Sequence, residues 1–342
     1  MRIALASDAW LPQVNGVVRT LTTVVREATA MGHEVCTITP DRFRTLPCPT
    51  YPEIRLALLP GRAVARMIDE FDPDHIHIAT EGPLGMAARS HCLRRGLAFT
   101  TSFHTRFPEY VAARFRVPTR LTYAWLRHFH GRASGVMVAA PSVRRELTAR
   151  GFANIRPWSR GVDAELFDPA LRTDFPNIPR PIFLMVSRIA VEKNIAAFLE
   201  LDLPGSKMLV GDGPQLPEMK RRFPAVHFMG HHEGRDLARY YASADVFVFP
   251  SLTDTFGLVL LEALAAGVPV AAYPVTGPMD VLGDAPVGHL DTDLRRAALA
   301  SLTIAREACR AHALKFSWRA TALQFLGNLV PARARSAYAM AS

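Results

Sequence analysis

Residues 244–278 read ADVFVFPSLTDTFGLVLLEALAAGVPVAAYPVTGP, and the order of elements in this stretch decides the fold. Asp245 to Phe249 is a short apolar, β-branched and aromatic run behind one acid and stops at Pro250-Ser251, which predicts a buried strand. Leu258 to Ala266 contains only Leu, Val, Ala and Glu, all acceptable in a helix, and Gly267 ends it at the C′ position. Val268 to Tyr273 is a second β-branched apolar run, closed by Pro274. Between strand and helix lies the loop Thr253–Gly257. It feeds a helix N-terminus, where unpaired backbone N–H groups and the positive dipole end favour an anion. By itself Asp254 reads as a cap or dipole partner of that helix. Glu262 is the sole charged side chain from Thr255 to Tyr273, so it requires either an exposed face or a polar ligand.

Outward from this stretch the same alternation recurs. Arg2 to Ser7 reads as a buried strand, residues 17–31 as a helix closed by Gly32, and Val35 to Thr39 as the next strand, the start of a doubly wound sheet. Asn15-Gly16 stands just before that helix, either as a plain turn or as bare backbone that a phosphate can approach. Helices over 63–71, 83–94 and 142–150 alternate with strands over 74–78, 98–102 and 135–139. His104 follows a strand end, the place where open α/β sheets hold ligands; the other reading is a histidine bonded to backbone. A proline-dotted linker, Pro169 to Pro181, leads to a second strand-first unit at Ile182 to Ser187. Arg188 and Lys193 follow it and need counter-charges, from Glu192 or from a pyrophosphate. Lys207 to Val210 runs into the turn Gly211-Asp212-Gly213-Pro214, and Val226 to Met229 into Gly230. Helices are expected over 235–243, 293–312 and 317–330, the last with Ser317 as N-cap. Two D-x-D triplets, Asp72-Pro73-Asp74 and Asp291-Thr292-Asp293, are read as turn and cap residues, and His231-His232 as surface histidines without a metal-ligand set.

Composition narrows the function classes. The chain has 342 residues, 49% of them hydrophobic, and a formal charge of +9, so it suits two domains with sizeable cores and anionic partners. Cys36, Cys48, Cys92 and Cys309 show no C-x-x-C spacing and are read as free thiols. No apolar run approaches the ~20 residues of a membrane span, and the N-terminus lacks a secretory h-region. The expectation is therefore a cytoplasmic protein, at most peripheral to a membrane on its inner face. Arg106 to Arg132 interleaves arginines, among them Arg114, Arg116, Arg120 and Arg127, with aromatics including Trp125. Such a segment is either an amphipathic helix with a solvated basic face or a surface for anionic lipid headgroups.

The donor stretch resembles the E-x7-E signature of GT-B glycosyltransferases of family 4, here written D-x7-E from Asp254 to Glu262. TDTFGLVLLEALAAGVPVAAYPVTGP resembles in particular the subgroup of lipid mannosyl-, glucosyl- and sulfoquinovosyltransferases. The segment Ser102–Tyr110 (SFHTRFPEY) is similar to that family's H-T-x-[FY]-P, and Arg188–Asn194 matches its R-x-x-x-E-K-N. Arg160–Asp163 (RGVD), followed by Phe167, resembles the end of the family's first domain. The resemblance implies an α/β GT-B architecture: two doubly wound Rossmann-like domains facing across a cleft. The expected division is 1–165 acceptor-side, 166–312 nucleotide-sugar-binding, a helix 313–330 crossing back to the first domain, and a frayed tail 331–342. It also implies a retaining hexosyltransferase needing no metal or other cofactor, with a UDP- or GDP-linked sugar as donor. His104 would lie against the donor sugar, and Gly16, Arg188 and Lys193 against the diphosphate. Asp254, Thr255, Phe256 and Gly257 would hold the sugar, Glu262 the ribose, Gly211 a donor-side turn, and Gly230 and His231 the nucleobase. The acceptor expected from the subgroup is a membrane lipid such as diacylglycerol; a soluble or polyprenyl-linked saccharide stays open. A non-catalytic nucleotide- or RNA-binding protein would suit the charge but not the family positions of Arg188, Lys193, Asp254 and Glu262, so nucleic acid is not an expected partner.

Overall fold

The computed structural model describes residues 1–48, 51–109 and 117–333. The chain divides into two compact units, Met1–Ser159 with the chain from Trp318 onward, and Arg160–Ser317. The division thus falls at Ser159/Arg160, where the sequence suggested 165/166.

The first unit is built on a six-stranded parallel sheet, order β2-β1-β5-β6-β7-β8. Its strands are β1 (Arg2–Ala6), β2 (Glu34–Ile38), β5 (His75–Ile78), β6 (Thr100–Phe103), β7 (Gly135–Val138) and β8 (Ile155–Pro157). A short antiparallel pair, β3 (Thr45–Cys48) with β4 (Tyr51–Ala57), stands apart from it. The helices are α1 (Gly16–Ala30), α2 (Gly61–Phe71), α3 (Pro83–Arg95), α4 (Thr119–His130) and α5 (Pro141–Ala149). In α1, Val18, Leu21, Val24 and Ala28 recur at helical spacing and are all buried, so one stripe faces the sheet. The C-terminal helix Trp318–Asn328 belongs to this unit: Phe325 packs with Ile3, Leu5 and Leu21 around the fully buried Trp158, whose indole N–H donates to the Thr321 carbonyl at 3.2 Å. Residues 331–333, expected in a frayed tail, are held. Ala332 donates to the Asp74 carbonyl at 2.7 Å and accepts from Ala98 at 2.8 Å, and Arg333 pairs with Asp72.

Inside this sheet His77 is fully buried, with Nδ1 2.9 Å from the Thr100 hydroxyl and Nε2 2.6 Å from that of Ser102. Burial pushes its imidazole down to about 3, so it is neutral at neutral pH.

The second unit repeats the plan with strand order β11-β10-β9-β12-β13-β14. The strands are β9 (Ile182–Val186), β10 (Ser206–Val210), β11 (His227–Gly230), β12 (Val246–Phe249), β13 (Val270–Ala272) and β14 (Gly288–Leu290), all parallel. Every residue of β9 and β12 is buried, as expected of strands covered by helices on both faces. Its helices are α6 (Ile195–Leu199), α7 (Leu216–Arg222), α8 (Gly234–Ser243), α9 (Leu258–Ala265), α10 (Pro278–Leu282), α11 (Leu294–Ser301) and α12 (Arg306–Ala313). Gly267, at φ 73, ends α9 as predicted: its N–H reaches the Leu264 carbonyl and that of Val268 reaches Ala263, a Schellman closure. The single helix expected over 293–312 is instead two. Tight i→i−3 bonds close α11 after Ser301, and the chain restarts so that the Arg306 guanidinium can donate to the carbonyls of Ala242, Ala244 and Ala266 at 2.7–3.1 Å. Asp293 caps α11 through bonds to the N–H groups of Arg295 and Arg296, Asp291 pairs with Arg296, and Asp72 ends α2 at φ 41, so both D-x-D triplets are cap and turn residues. No cluster of three or more His, Cys, Asp or Glu of metal-holding geometry occurs among the described residues.

Candidate functional site

In the second sheet the strand order reverses between β9 and β12, and the carboxyl ends beside that point gather the family-like motifs. Arg188 lies two residues beyond β9, with its side chain exposed. The loop it begins runs against the turn after β10: Ser187 donates to the Val210 carbonyl and Ile189 to that of Asp212, at 3.1 and 2.8 Å. Glycine is required for this approach. A Cβ on Gly211 (φ 142) would stand 1.9 Å from the Ser187 carbonyl oxygen, and one on Gly213 (φ 156) 2.4 Å from that of Ile189. The G-D-G-P turn is therefore part of the same construction as Arg188.

From there the chain makes a 3₁₀ turn, Val191–Lys193, and Asn194 at φ 51 donates through its side chain to the Pro250 carbonyl at 3.0 Å. This bond ties the R-x-x-x-E-K-N segment to the end of β12. The Lys193 ammonium then reaches both oxygens of Asp254, at 2.7 and 2.9 Å, in a pair about one-fifth exposed. The carboxylate opposite Lys193 is thus Asp254, not the neighbouring Glu192. Nor does Asp254 cap α9: the N-cap is Gly257 at φ 83, and no side chain bonds the N–H groups there. Thr276 and Gly277, from the loop after β13, close over this segment. The Thr276 hydroxyl is 3.5 Å from the Asp254 carbonyl oxygen, and a Cβ on Gly277 would stand 3.1 Å from that of Phe256.

Glu262, about one turn into α9, is only 3% exposed. Its Oε2 accepts from the Tyr241 hydroxyl at 2.9 Å, so the exposed-face alternative does not hold. Gly230 ends β11 at φ 82, and its carbonyl accepts from Gly211 at 2.7 Å, at the same end of the sheet. His231 is exposed and pairs with Glu233 at 3.1 Å, while His232 lies against the Met229 carbonyl and the Tyr240 hydroxyl.

In the first unit, Asn15 caps α1 by accepting from Val17 and Val18 at 3.0 Å, and Gly16 is the first helical residue. His104 comes directly after β6, with its ring edge-on to Trp158 at 5.5 Å. Asp8 belongs to none of the sequence motifs. It stands buried beyond β1, accepting from the N–H groups of Leu84 and Gly85 and from the Thr80 hydroxyl at 2.8–3.3 Å, so it serves the N-terminus of α3. Burial pushes its carboxyl up, against the pull of those bonds. The signal was present, an acid directly after a strand, but nothing local to it marks a partner 76 residues away.

The arginine-aromatic segment is less uniform than its sequence suggests. Arg114 and Arg116 lie outside the described residues. Arg106 is mostly buried and bonds Glu146 at 2.8 Å, and Arg127 donates to the Arg150 carbonyl at 2.9 Å. Tyr123 and Phe129 belong to the core, so these two aromatics are unavailable to a membrane interface. Phe107, Leu121 and Trp125 are 46%, 57% and 39% exposed, with Arg120 exposed beside them. No helix among the described residues is long and apolar enough to cross a membrane.

The chain resembles known proteins over most of its length. Residues 14–166 match the model of Glycosyltransferase Family 4 and residues 180–302 that of Glycosyl transferases group 1. The chain is 30% identical to a GDP-mannose-dependent alpha-mannosyltransferase of Mycobacterium tuberculosis, over 98% of each chain. It is 31% identical to the sulfoquinovosyl transferase SQD2 of Arabidopsis thaliana, over 79% of this chain and 58% of that one. With an alpha-monoglucosyldiacylglycerol synthase of Acholeplasma laidlawii it shares 27% identity over 79% of each. Among solved structures, a sucrose-phosphate synthase from Thermosynechococcus elongatus superposes with a TM-score of 0.74 at 22% identity, over 95% of this chain and 97% of that one. Parallel sheets in two Rossmann-like halves and a 30% identical relative matched from end to end lead to one conclusion: the chain is a GT-B glycosyltransferase and belongs to family 4.

Proposed function

We propose that this enzyme is a retaining, metal-independent hexosyltransferase that moves a sugar from a nucleoside diphosphate to a membrane lipid such as diacylglycerol. The observation that carries the proposal is the joining of Lys193 to Asp254, beside the loop of Arg188, at the switch point of the second sheet. As the glycosidic bond breaks, negative charge grows on the departing diphosphate. Arg188 as a forked donor and Lys193 as a point charge would stabilise it in place, without a bound cation or other cofactor. Asp254 and the Thr255–Gly257 backbone would hold the sugar, Glu262 the ribose, and Gly230 and His231 the base. The acceptor attacks on the face from which the leaving group departs, and a phosphate oxygen takes its proton.

The lipid acceptor is supported by the monoglucosyldiacylglycerol synthase relative and by the exposed Phe107, Leu121 and Trp125 beside Arg120. On this reading the protein works in the cytoplasm, resting on an anionic inner leaflet. One observation favours a second reading of the donor, GDP-mannose: the relative named for GDP-mannose matches 98% of the chain. A panel of UDP- and GDP-sugars with membrane lipid extract, read by mass spectrometry and by anomeric NMR of the product, tests both. The expected product is a lipid carrying one hexose with the donor's anomeric configuration. Transfer only to soluble saccharides would overturn the lipid acceptor, and an inverted anomer would overturn retention.

A further inference from the structure

Glu262 is a buried carboxylate on a helix that is otherwise apolar, and its side chain must be oriented before any ligand arrives. The group that orients it is on another element. Tyr241, on α8, is fully buried, and its hydroxyl meets Glu262 Oε2 at 2.9 Å. The Tyr241 ring has no freedom to follow a moving carboxylate. It lies edge-on to Phe167 with centroids 5.4 Å apart and tilted against Phe247 at 5.6 Å, so two aromatic neighbours fix both of its torsions. An ionised carboxylate is an acceptor only, and a phenol O–H is the natural donor to it. With Oε2 engaged by Tyr241, the plane of the carboxylate is set, and the direction of Oε1 follows from it.

We infer that Tyr241 is a positioning residue: its hydroxyl orients the Glu262 carboxylate to accept from a vicinal diol and so makes the site selective for ribonucleoside over deoxyribonucleoside diphosphates. The inference rests on the assignment of Glu262 to the donor ribose. Tyr241→Phe removes one oxygen and keeps the ring in its aromatic packing, so the fold is retained, which a thermal melt checks.

Calorimetric titration of UDP and GDP, each beside its 2′,3′-dideoxy form, tests it in wild type, Tyr241→Phe and Glu262→Gln. Wild type is expected to favour the ribo form by about tenfold, the scale of one charge-assisted hydrogen bond. In Tyr241→Phe the ribo form should weaken several-fold, with the dideoxy form unchanged, and the donor KM should rise while kcat changes less than twofold. Undiminished ribo preference in Tyr241→Phe, or equal weakening of both forms, overturns the positioning role while Glu262→Gln still abolishes the preference. Undiminished preference in Glu262→Gln overturns the ribose assignment itself, and the inference with it.

Discussion

Lys193 and Asp254 stand 61 residues apart in the chain and 2.7 Å apart in the fold. No local pattern could announce that pair. Glu192 was the obvious counter-charge because it is adjacent in sequence, but adjacent residues on a 3₁₀ turn point in different directions. Glu262 was half legible: a lone acid in an apolar run must be satisfied somewhere, yet its partner Tyr241 is on another helix. If Lys193 stabilises the departing diphosphate, Lys193→Ala should remove ~3 kcal/mol of transition-state stabilisation and slow turnover roughly a hundredfold. Steady-state kcat with saturating donor, on a variant with wild-type circular dichroism, is the check; near-wild-type turnover would remove Lys193 from the mechanism.

Strands and helices of the second unit were legible wherever burial imposes a pattern and a glycine or proline ends it, as at Pro250-Ser251 and Gly267. The exceptions have physical causes. The break between α11 and α12 carries no glycine or proline; Leu302 to Ile304 continue an acceptable helix, and the break is set by the distant carbonyls that Arg306 satisfies. The β3–β4 pair went unseen because it lies outside both sheets. At this scale the turns after β9 and β10 make a prediction. Gly211→Ala puts a methyl into the Ser187 carbonyl and should cost about 3 kcal/mol or more. Gly32→Ala, at φ 82 with no atom within 4 Å of the added Cβ, should cost only about 1 kcal/mol. Urea midpoints of the two variants give the comparison, and an equal loss would show that the two loops do not depend on close backbone approach.

For the whole molecule, both units carry a six-stranded parallel sheet, though the strand orders differ at one edge, and the alternation along the sequence was sufficient to expect two doubly wound units. Its resemblance to family 4 supplied the activity, because a doubly wound sheet by itself hosts many chemistries. Stability should also depend on pH through the first unit. His77 is neutral when folded, with its imidazole at about 3, and protonates near 6.5 when unfolded. Below 6.5 the unfolded chain therefore binds the extra proton, and stability falls as pH falls, by about 1.4 kcal/mol per pH unit down to about 3. Chemical denaturation at pH 7.5 and 5.5 should show this loss in wild type and a smaller one in His77→Asn; identical slopes would assign the effect elsewhere.

On the proposed function, protein cations at the carboxyl end of the second sheet receive the donor's diphosphate. A crystal structure with UDP or GDP bound is the decisive measurement. Phosphate oxygens should lie about 3 Å from both the Arg188 guanidinium and the Lys193 ammonium, with Glu262 on the ribose. A nucleotide bound elsewhere, with those three side chains untouched, would contradict the account.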